Sequence, residues 1–411
     1  MKKSLFTLFL VTASLFAKAQ SDSTDAGKFT ISGYLDSYYL TAFNSPRSGT
    51  LMGRVLTEPN GEVLFLPAGR AFDRLDKQFA LGLVQTKFAY TSNKSEMVVD
   101  LTFGPNADLG NFGNTRSANL YVPGNLAVNP LYGTSAAIKQ AYFTYKATPK
   151  LSFTVGQFGT HIGYEVIDAP VNYHYSLSNL FNNGPFYHIG AKASYAFSDK
   201  AGLMLGLVNN WDNLTDSMPQ KSLVGQFFFK PADTWSVYLN YIGGYSDDTN
   251  LTRLANQPGA NKVLLNYTRQ MVDLTTSFQV TDKFYLGLNA AYGFFSFSTG
   301  NPADEALIKG AFKGKTSPDW GGVAFYTNYA VSDVFGIGVR YEHFQDKNKT
   351  RYLQTINNSL TVTTPISLAA GKLKVKPELR IDTATDAYYE DASGAPVNSQ
   401  TTLGVAFIYS Y

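Results

Sequence analysis

Lys372-Leu373-Lys374-Val375-Lys376-Pro377-Glu378-Leu379-Arg380-Ile381-Asp382 is the stretch that decides the fold. Leu373, Val375, Leu379 and Ile381 share one face of an extended chain, with Pro377 in the same phase. Lys372, Lys374, Lys376, Glu378, Arg380 and Asp382 share the other. Side chains of a strand alternate between the two sides of its sheet, so this strand has one apolar face and one charged face. A soluble sheet can also carry charge on one face, so it is repetition of the pattern that identifies the architecture.

The alternation recurs along the whole chain, often with small residues on the polar face. Phe335, Ile337 and Val339 alternate with Gly336, Gly338 and Arg340, and Leu203, Leu205 and Leu207 with Met204, Gly206 and Val208. Val272, Leu274, Phe278 and Val280 alternate with Asp273, Thr275, Ser277 and Gln279. Trp235, Val237, Leu239 and Tyr241 alternate with Ser236, Tyr238 and Asn240, and Leu151, Phe153 and Val155 with Ser152, Thr154 and Gly156. One face toward lipid and one toward a polar interior is what a membrane barrel requires.

The connections are of two kinds. Short turns fall at 91–94, 148–150, 198–200, 231–233, 281–283, 332–333 and 370–372. Long polar stretches fall at about 43–77, 105–136, 159–186, 211–220, 247–262, 298–318, 347–356 and 384–399. Tight turns at one rim and long loops at the other are the outer-membrane arrangement, with the turns periplasmic and the loops extracellular. These connections predict an all-β, transmembrane, antiparallel up-and-down barrel of about sixteen strands, uncertain by about two because Phe79 to Tyr90 changes phase and can hold a bulge. Phe153, Phe197, Trp235, Phe284, Tyr285 and Phe335 sit beside the short turns, where an interfacial aromatic girdle is expected.

The chain begins with Lys2 and Lys3, an apolar run from Leu5 to Phe16, and Ala17-Lys18-Ala19. This order predicts a signal peptide over residues 1–19, cleaved after export through the Sec pathway, and a single outer-membrane barrel over 20–411. The apolar run is shorter than the roughly 20 residues a spanning helix needs. The chain carries 34 Lys and Arg against 31 Asp and Glu. Cleavage would remove three lysines and leave the two signs balanced, which argues against a nucleic-acid partner. With no cysteine there is neither a lipid-anchoring cysteine nor a disulfide framework.

Leu403, Val405, Phe407, Tyr409 and Tyr411 alternate to the last residue. A final strand ending on an aromatic resembles the signal read by the barrel-assembly machinery, for which Phe407, Tyr409 and Tyr411 are the candidates. The usual form ends in Phe, so Tyr411 departs from it. Two further stretches extend the likeness. One runs from Val155-Gly156-Gln157-Phe158-Gly159-Thr160-His161-Ile162-Gly163-Tyr164-Glu165 through Asn172, Tyr175-Ser176 and Gly184-Pro185-Phe186 to Gly190; the other is Ser32-Gly33-Tyr34-Leu35-Asp36-Ser37-Tyr38-Tyr39. Together they make the chain similar to the OmpL-like β-barrel porin family of Bacteroidota. The resemblance implies a porin and supplies no catalytic residues.

The connection 159–186 is the strongest candidate site. In sixteen-stranded general porins the loop after the fifth strand folds inward and narrows the pore, and this loop also follows the fifth strand. His161, Tyr164, Glu165, Asp168, Asn172, Tyr173, His174 and Tyr175 are its candidate constriction residues, since charged and polar rings select solutes in such pores. Arg340, Glu342, Lys372, Lys374, Lys376, Glu378, Arg380 and Asp382 are candidate lumen-facing charges, set either to create a transverse field or to neutralise one another. The spacing of His161, Glu165, Asp168 and His174 matches no metal motif. Gly310 to Thr316 has one residue too few between its glycines for a phosphate-binding loop. A hydrolase built on Ser176 and one of four histidines lacks any nucleophile motif. The expected function is therefore passive diffusion of small polar solutes or ions, with no enzyme activity, cofactor or metal. Expected partners are outer-membrane lipid, the barrel-assembly machinery and small polar solutes, with homotrimer formation left open. The alternative is a barrel whose long loops bind a surface ligand without transport; the first loop, with Arg47, Arg54, Arg70 and Arg74, has the length for it.

Overall fold

Each alternating segment forms a strand in the computed structural model, which describes residues 27–44, 53–57, 63–67, 70, 72–111, 133–214, 220–245, 267–297, 302–312, 314–348, 350–351 and 355–411. The expected signal peptide lies outside the described residues. In chain order the strands are β1 (Lys28–Ala42), β2 (Gln78–Thr91), β3 (Ser95–Phe103), β4 (Ile138–Lys146), β5 (Leu151–Gly159), β6 (Tyr187–Ser198), β7 (Ala201–Val208) and β8 (Ser222–Ala232). They continue with β9 (Trp235–Tyr245), β10 (Tyr267–Thr281), β11 (Phe284–Phe297), β12 (Asp319–Ala330), β13 (Gly336–Gln345), β14 (Ile356–Thr363), β15 (Leu373–Ala384) and β16 (Ser399–Ser410). A short extension of β14, Ile366–Leu368, also pairs with β15.

Every strand pairs antiparallel with its sequence neighbours, as in β2 with β3 and β12 with β13. The ring is closed by β1 and β16, in register from Tyr34 opposite Ser410 to Ala42 opposite Thr402. The result is a closed antiparallel barrel of 16 strands. Closure leaves no strand edge exposed, which hydrocarbon demands because it offers backbone groups no partner.

Exposure separates the two faces of β15 as its sequence predicts: Leu379 and Ile381 are 37% and 38% exposed, whereas Arg380 and Asp382 are 1% and 0%. Phe153, Phe197 and Trp235 are likewise exposed on the outside. Tyr285 departs from the expected girdle and lines the interior instead, because it shares parity with inward-facing Gly287 and Asn289. The short turns are closed by hydroxyls. Ser92, Thr148, Thr281 and Ser332 each accept a hydrogen bond from the backbone N–H three residues on, which stops the strand without a long connection.

The phase change in β2 is a bulge. Leu35 pairs with Val84 and Ser37 with Leu81, so Gly82 and Leu83 together oppose Asp36, whose carboxylate accepts the Leu83 N–H. A second irregularity, where Asp100 pairs with Gln140 but Leu101 with Ile138, turns Lys139 inward. Helix α1 (Pro105–Gly110), helix α2 (Asn179–Asn183) and helix α3 (Pro302–Ala311) lie in long loops. Phe295, Trp320 and Phe344, near the long-loop rim, belong to a buried apolar cluster that Ile308 and Phe312 complete. Two small hairpins, Gly53–Thr57 with Val63–Pro67 and Tyr389–Glu390 with Pro396–Val397, also lie in long loops.

Candidate functional site

The third loop leaves β5 at Gly159, runs inside the barrel and returns through α2 to β6. Its main chain would be an expensive occupant unless its polar groups were paired. The charged face of β15 supplies the partners. Lys374 Nζ donates to the Pro170 carbonyl at 2.8 Å, and Lys376 Nζ to that of Ala169 at 2.7 Å and to that of Asn172. Glu378 accepts the N–H groups of Tyr175 and Ser176 at 2.7 and 3.0 Å, and Arg380 donates to the Leu177 carbonyl at 2.8 Å. Asp382 pairs with Arg380 at 2.9 Å.

β13 holds the next turn of the loop. Arg340 pairs with Glu165 and donates to the Ser176 carbonyl at 2.7 Å. Glu165 in turn accepts the Ser178 N–H at 2.7 Å. Helix α2 starts there, and its first N–H groups have no partner within the helix. Glu342 accepts those of Asn179 and Leu180 at 2.8 Å each, and the Ser178 hydroxyl accepts that of Phe181 at 3.1 Å. A carboxylate at the positive end of a helix, with Ser as cap, is a stabilising arrangement. The inward charges of β13 and β15 thus act as a clamp on main chain.

The eight loop residues singled out from sequence separate into different surroundings. His161, Tyr164, Asp168, Asn172 and Tyr173 are half-buried on an internal cavity. Glu165 and His174 border the same cavity but are buried: Glu165, 6% exposed, is turned against Arg340, and His174, 1% exposed, has Nδ1 2.7 Å from Thr363 Oγ1. Thr363 donates its own proton to Glu378, so His174 carries its proton on Nδ1. Burial, reinforced by Arg340, holds its pKa down to about 3. Tyr175 packs on the far side of the loop, its ring 5.5 Å from that of Tyr38. Lys372 differs from the other lumen candidates: it is exposed in the short turn before β15, because the strand begins only at Leu373. Phe407, Tyr409 and Tyr411 are exposed on the outer face of the closing strand.

The residues weighed for other chemistry have separate partners. His161 sits 3.0 Å from the Tyr241 carbonyl, and Asp168 is salt-bridged to Lys139. The Ser176 hydroxyl accepts from Arg340 at 3.2 Å. Arg70 of the first loop is 2% exposed, paired with Asp73 and 2.6 Å from Thr402 Oγ1, so it serves the interior. Arg47 lies outside the described residues.

Beside the clamped loop a cavity of about 960 Å³ remains. It extends from Phe186 and Lys139, near the long-loop side, to the short-turn residues Asp282 and Lys283. Tyr164 stacks on Tyr326 of β12 with ring centroids 4.3 Å apart. Two inward glycines make room for loop rings: a Cβ on Gly287 would lie 2.2 Å from the Tyr164 hydroxyl, and one on Gly338 would lie 2.3 Å from the Tyr173 ring. Small residues on the polar face of β13 were the sequence trace of this packing. Asn179, Ser178 and Tyr285 are site residues that sequence reasoning missed.

A profile of the family described as "Putative beta-barrel porin-2, OmpL-like" matches residues 28–411. No curated protein sequence matches the chain. Similar solved structures include Salmonella typhi OmpF in complex with daunomycin, with TM-score 0.54, 10% identity, and 94% of this chain and 98% of that chain covered. An anion-selective porin from Comamonas acidovorans gives TM-score 0.53 at 11% identity, over 94% and 100%. The trimer form of in-vitro folded OmpT of Vibrio cholerae gives 0.51 at 12%, over 94% and 100%. At such identities these likenesses speak for the fold.

Proposed function

This chain belongs to the OmpL-like beta-barrel porin-2 family, and from that premise we propose a passive outer-membrane pore narrowed by the inward loop 159–186. The observation that carries the proposal is the cavity beside the loop, which reaches the short-turn rim between polar walls. Barrels of about 16 strands enclose an aqueous channel unless they are plugged. Here the loop takes part of the cross-section and its charges are consumed in holding it. Solutes then pass between the loop and the wall formed by β8 to β12, down their own gradient and with no energy source.

Planar-bilayer recording of the refolded protein tests the proposal. Discrete conductance steps are expected, and their absence at protein levels that insert into the bilayer would contradict a pore. Export through the Sec pathway with cleavage after Ala19 belongs to the same reading, and N-terminal sequencing of the membrane-extracted protein checks it. A homotrimer is proposed as the working assembly, supported by a trimeric protein of the same fold. Cross-linking in intact membranes should give a three-subunit band.

A further inference from the structure

We propose that the passage beside the loop favours a neutral, polyhydroxylated solute, a mono- to trisaccharide, over ions. The inference rests on the pore reading above and adds the class of solute. Its first support is where the charge lies. Among the charged groups lining the cavity, Lys139 is paired with Asp168 and Glu165 with Arg340. Lys374 and Lys376 donate to loop carbonyls. Asp282 and Lys283, of opposite sign, are consecutive in the turn at the rim. Along the clamp side, then, charge is already committed to partners, and on the facing wall the lining charges are those of the rim turn between β10 and β11.

The facing wall is different. β8 to β12 line the cavity with Gln226, Thr275, Ser277, Gln279 and Asn328, all uncharged. Amides and hydroxyls both donate and accept hydrogen bonds, as a sugar hydroxyl does. Along this wall an ion would shed water for neutral dipoles alone, which is costly, and the Lys374 and Lys376 ammonium groups across the cavity are turned onto loop carbonyls. A sugar exchanges its water hydrogen bonds for equivalent ones.

Aromatic faces supply the second half of the match. Tyr164, backed by the buried Tyr326 on which it stacks at 4.3 Å, lines the cavity together with the half-buried Tyr173, Tyr238 and Tyr285. The face of an aromatic ring carries partial negative charge. The C–H bonds on the flat side of a pyranose are weakly positive, so a sugar can lie on the ring while its hydroxyl rim meets the amides. A cavity of about 960 Å³ is within the size range that encloses small organic ligands.

The test is single-channel recording of the refolded protein in potassium chloride, with sucrose, raffinose or potassium gluconate added. Sucrose and raffinose at millimolar levels are expected to interrupt the current reversibly, whereas gluconate at matched ionic strength is not. Tyr285→Ala should weaken the raffinose interruption about fivefold, as expected for loss of one aromatic contact, while Tyr285→Phe should keep it within about twofold. Conducting channels indifferent to both sugars, or interrupted equally by gluconate, would overturn the saccharide assignment and leave the pore intact. An unchanged Tyr285→Ala channel would overturn the aromatic part of the argument. Absence of any potassium chloride current would instead overturn the pore reading beneath it.

Discussion

Replacing Arg340 by Met tests whether the inward charges are a loop clamp. Arg340 is fully buried and touches Glu165, the Ser176 carbonyl at 2.7 Å, the Ser176 hydroxyl at 3.2 Å and Thr361 at 3.2 Å. Met matches the aliphatic length but provides none of these donors. The Glu165 carboxylate would keep the Ser178 N–H but lose its counter-charge. Removing one partner of a buried ion pair costs about 3–5 kcal/mol. Urea unfolding in detergent should show a loss of that order, and single-channel recording should show larger, noisier conductance as the loop loosens. Adding Glu165→Gln removes the stranded charge and should recover a substantial part of the loss. If the single variant stays within about 0.5 kcal/mol of the parent, the level typical of neutral surface substitutions, and conducts identically, the clamp is wrong.

Other consequences follow from the same contacts. Glu342→Gln should destabilise the fold by about 1–3 kcal/mol, because its amide NH₂ faces the N–H donors of Asn179 and Leu180; urea titration reads this. Gly338→Ala puts a methyl 2.3 Å from the Tyr173 ring and should cost about 1–3 kcal/mol or shift the loop, visible as altered conductance. His174 gives an acid dependence. Its pKa is held near 3 in the folded protein and lies near 6.5 unfolded, so as pH falls below 6.5 the unfolded chain takes up a proton that the folded protein refuses. Stability should be complete above that pH and fall by up to about 1.4 kcal/mol per pH unit toward 3. A His174→Gln variant should lose this part of the slope, and an unchanged slope would remove His174 as its source.

Strand order, turn positions and the facing of β15 were legible because each is written in residue type at period two. The loop after β5 was legible as a candidate because turn and loop lengths count the strands. The identity of its anchors was not. Lys374, Lys376, Glu378 and Arg380 grip carbonyl and N–H groups of residues 169–177, and main chain carries no mark of which side chain will reach it. The charges therefore read either as a field across a pore or as mutual neutralisation, when their partner was backbone. Tyr285 was misplaced for a related reason: adjacency to a short turn suggests a girdle, but parity with Gly287 decides the face. Gly336 and Gly338 of β13 were a readable hint, since a Cβ on either would run into Tyr173 of the loop.

The chain has no native cysteine, so one introduced thiol can report on the conducting path. Ser277 lines the cavity on the wall facing the loop. In Ser277→Cys channels, a charged thiol reagent added from either side of the bilayer should step the current down irreversibly and leave the parent channel unaffected. Unchanged current after modification confirmed by mass spectrometry would place the ion path elsewhere and contradict a pore running beside the clamped loop.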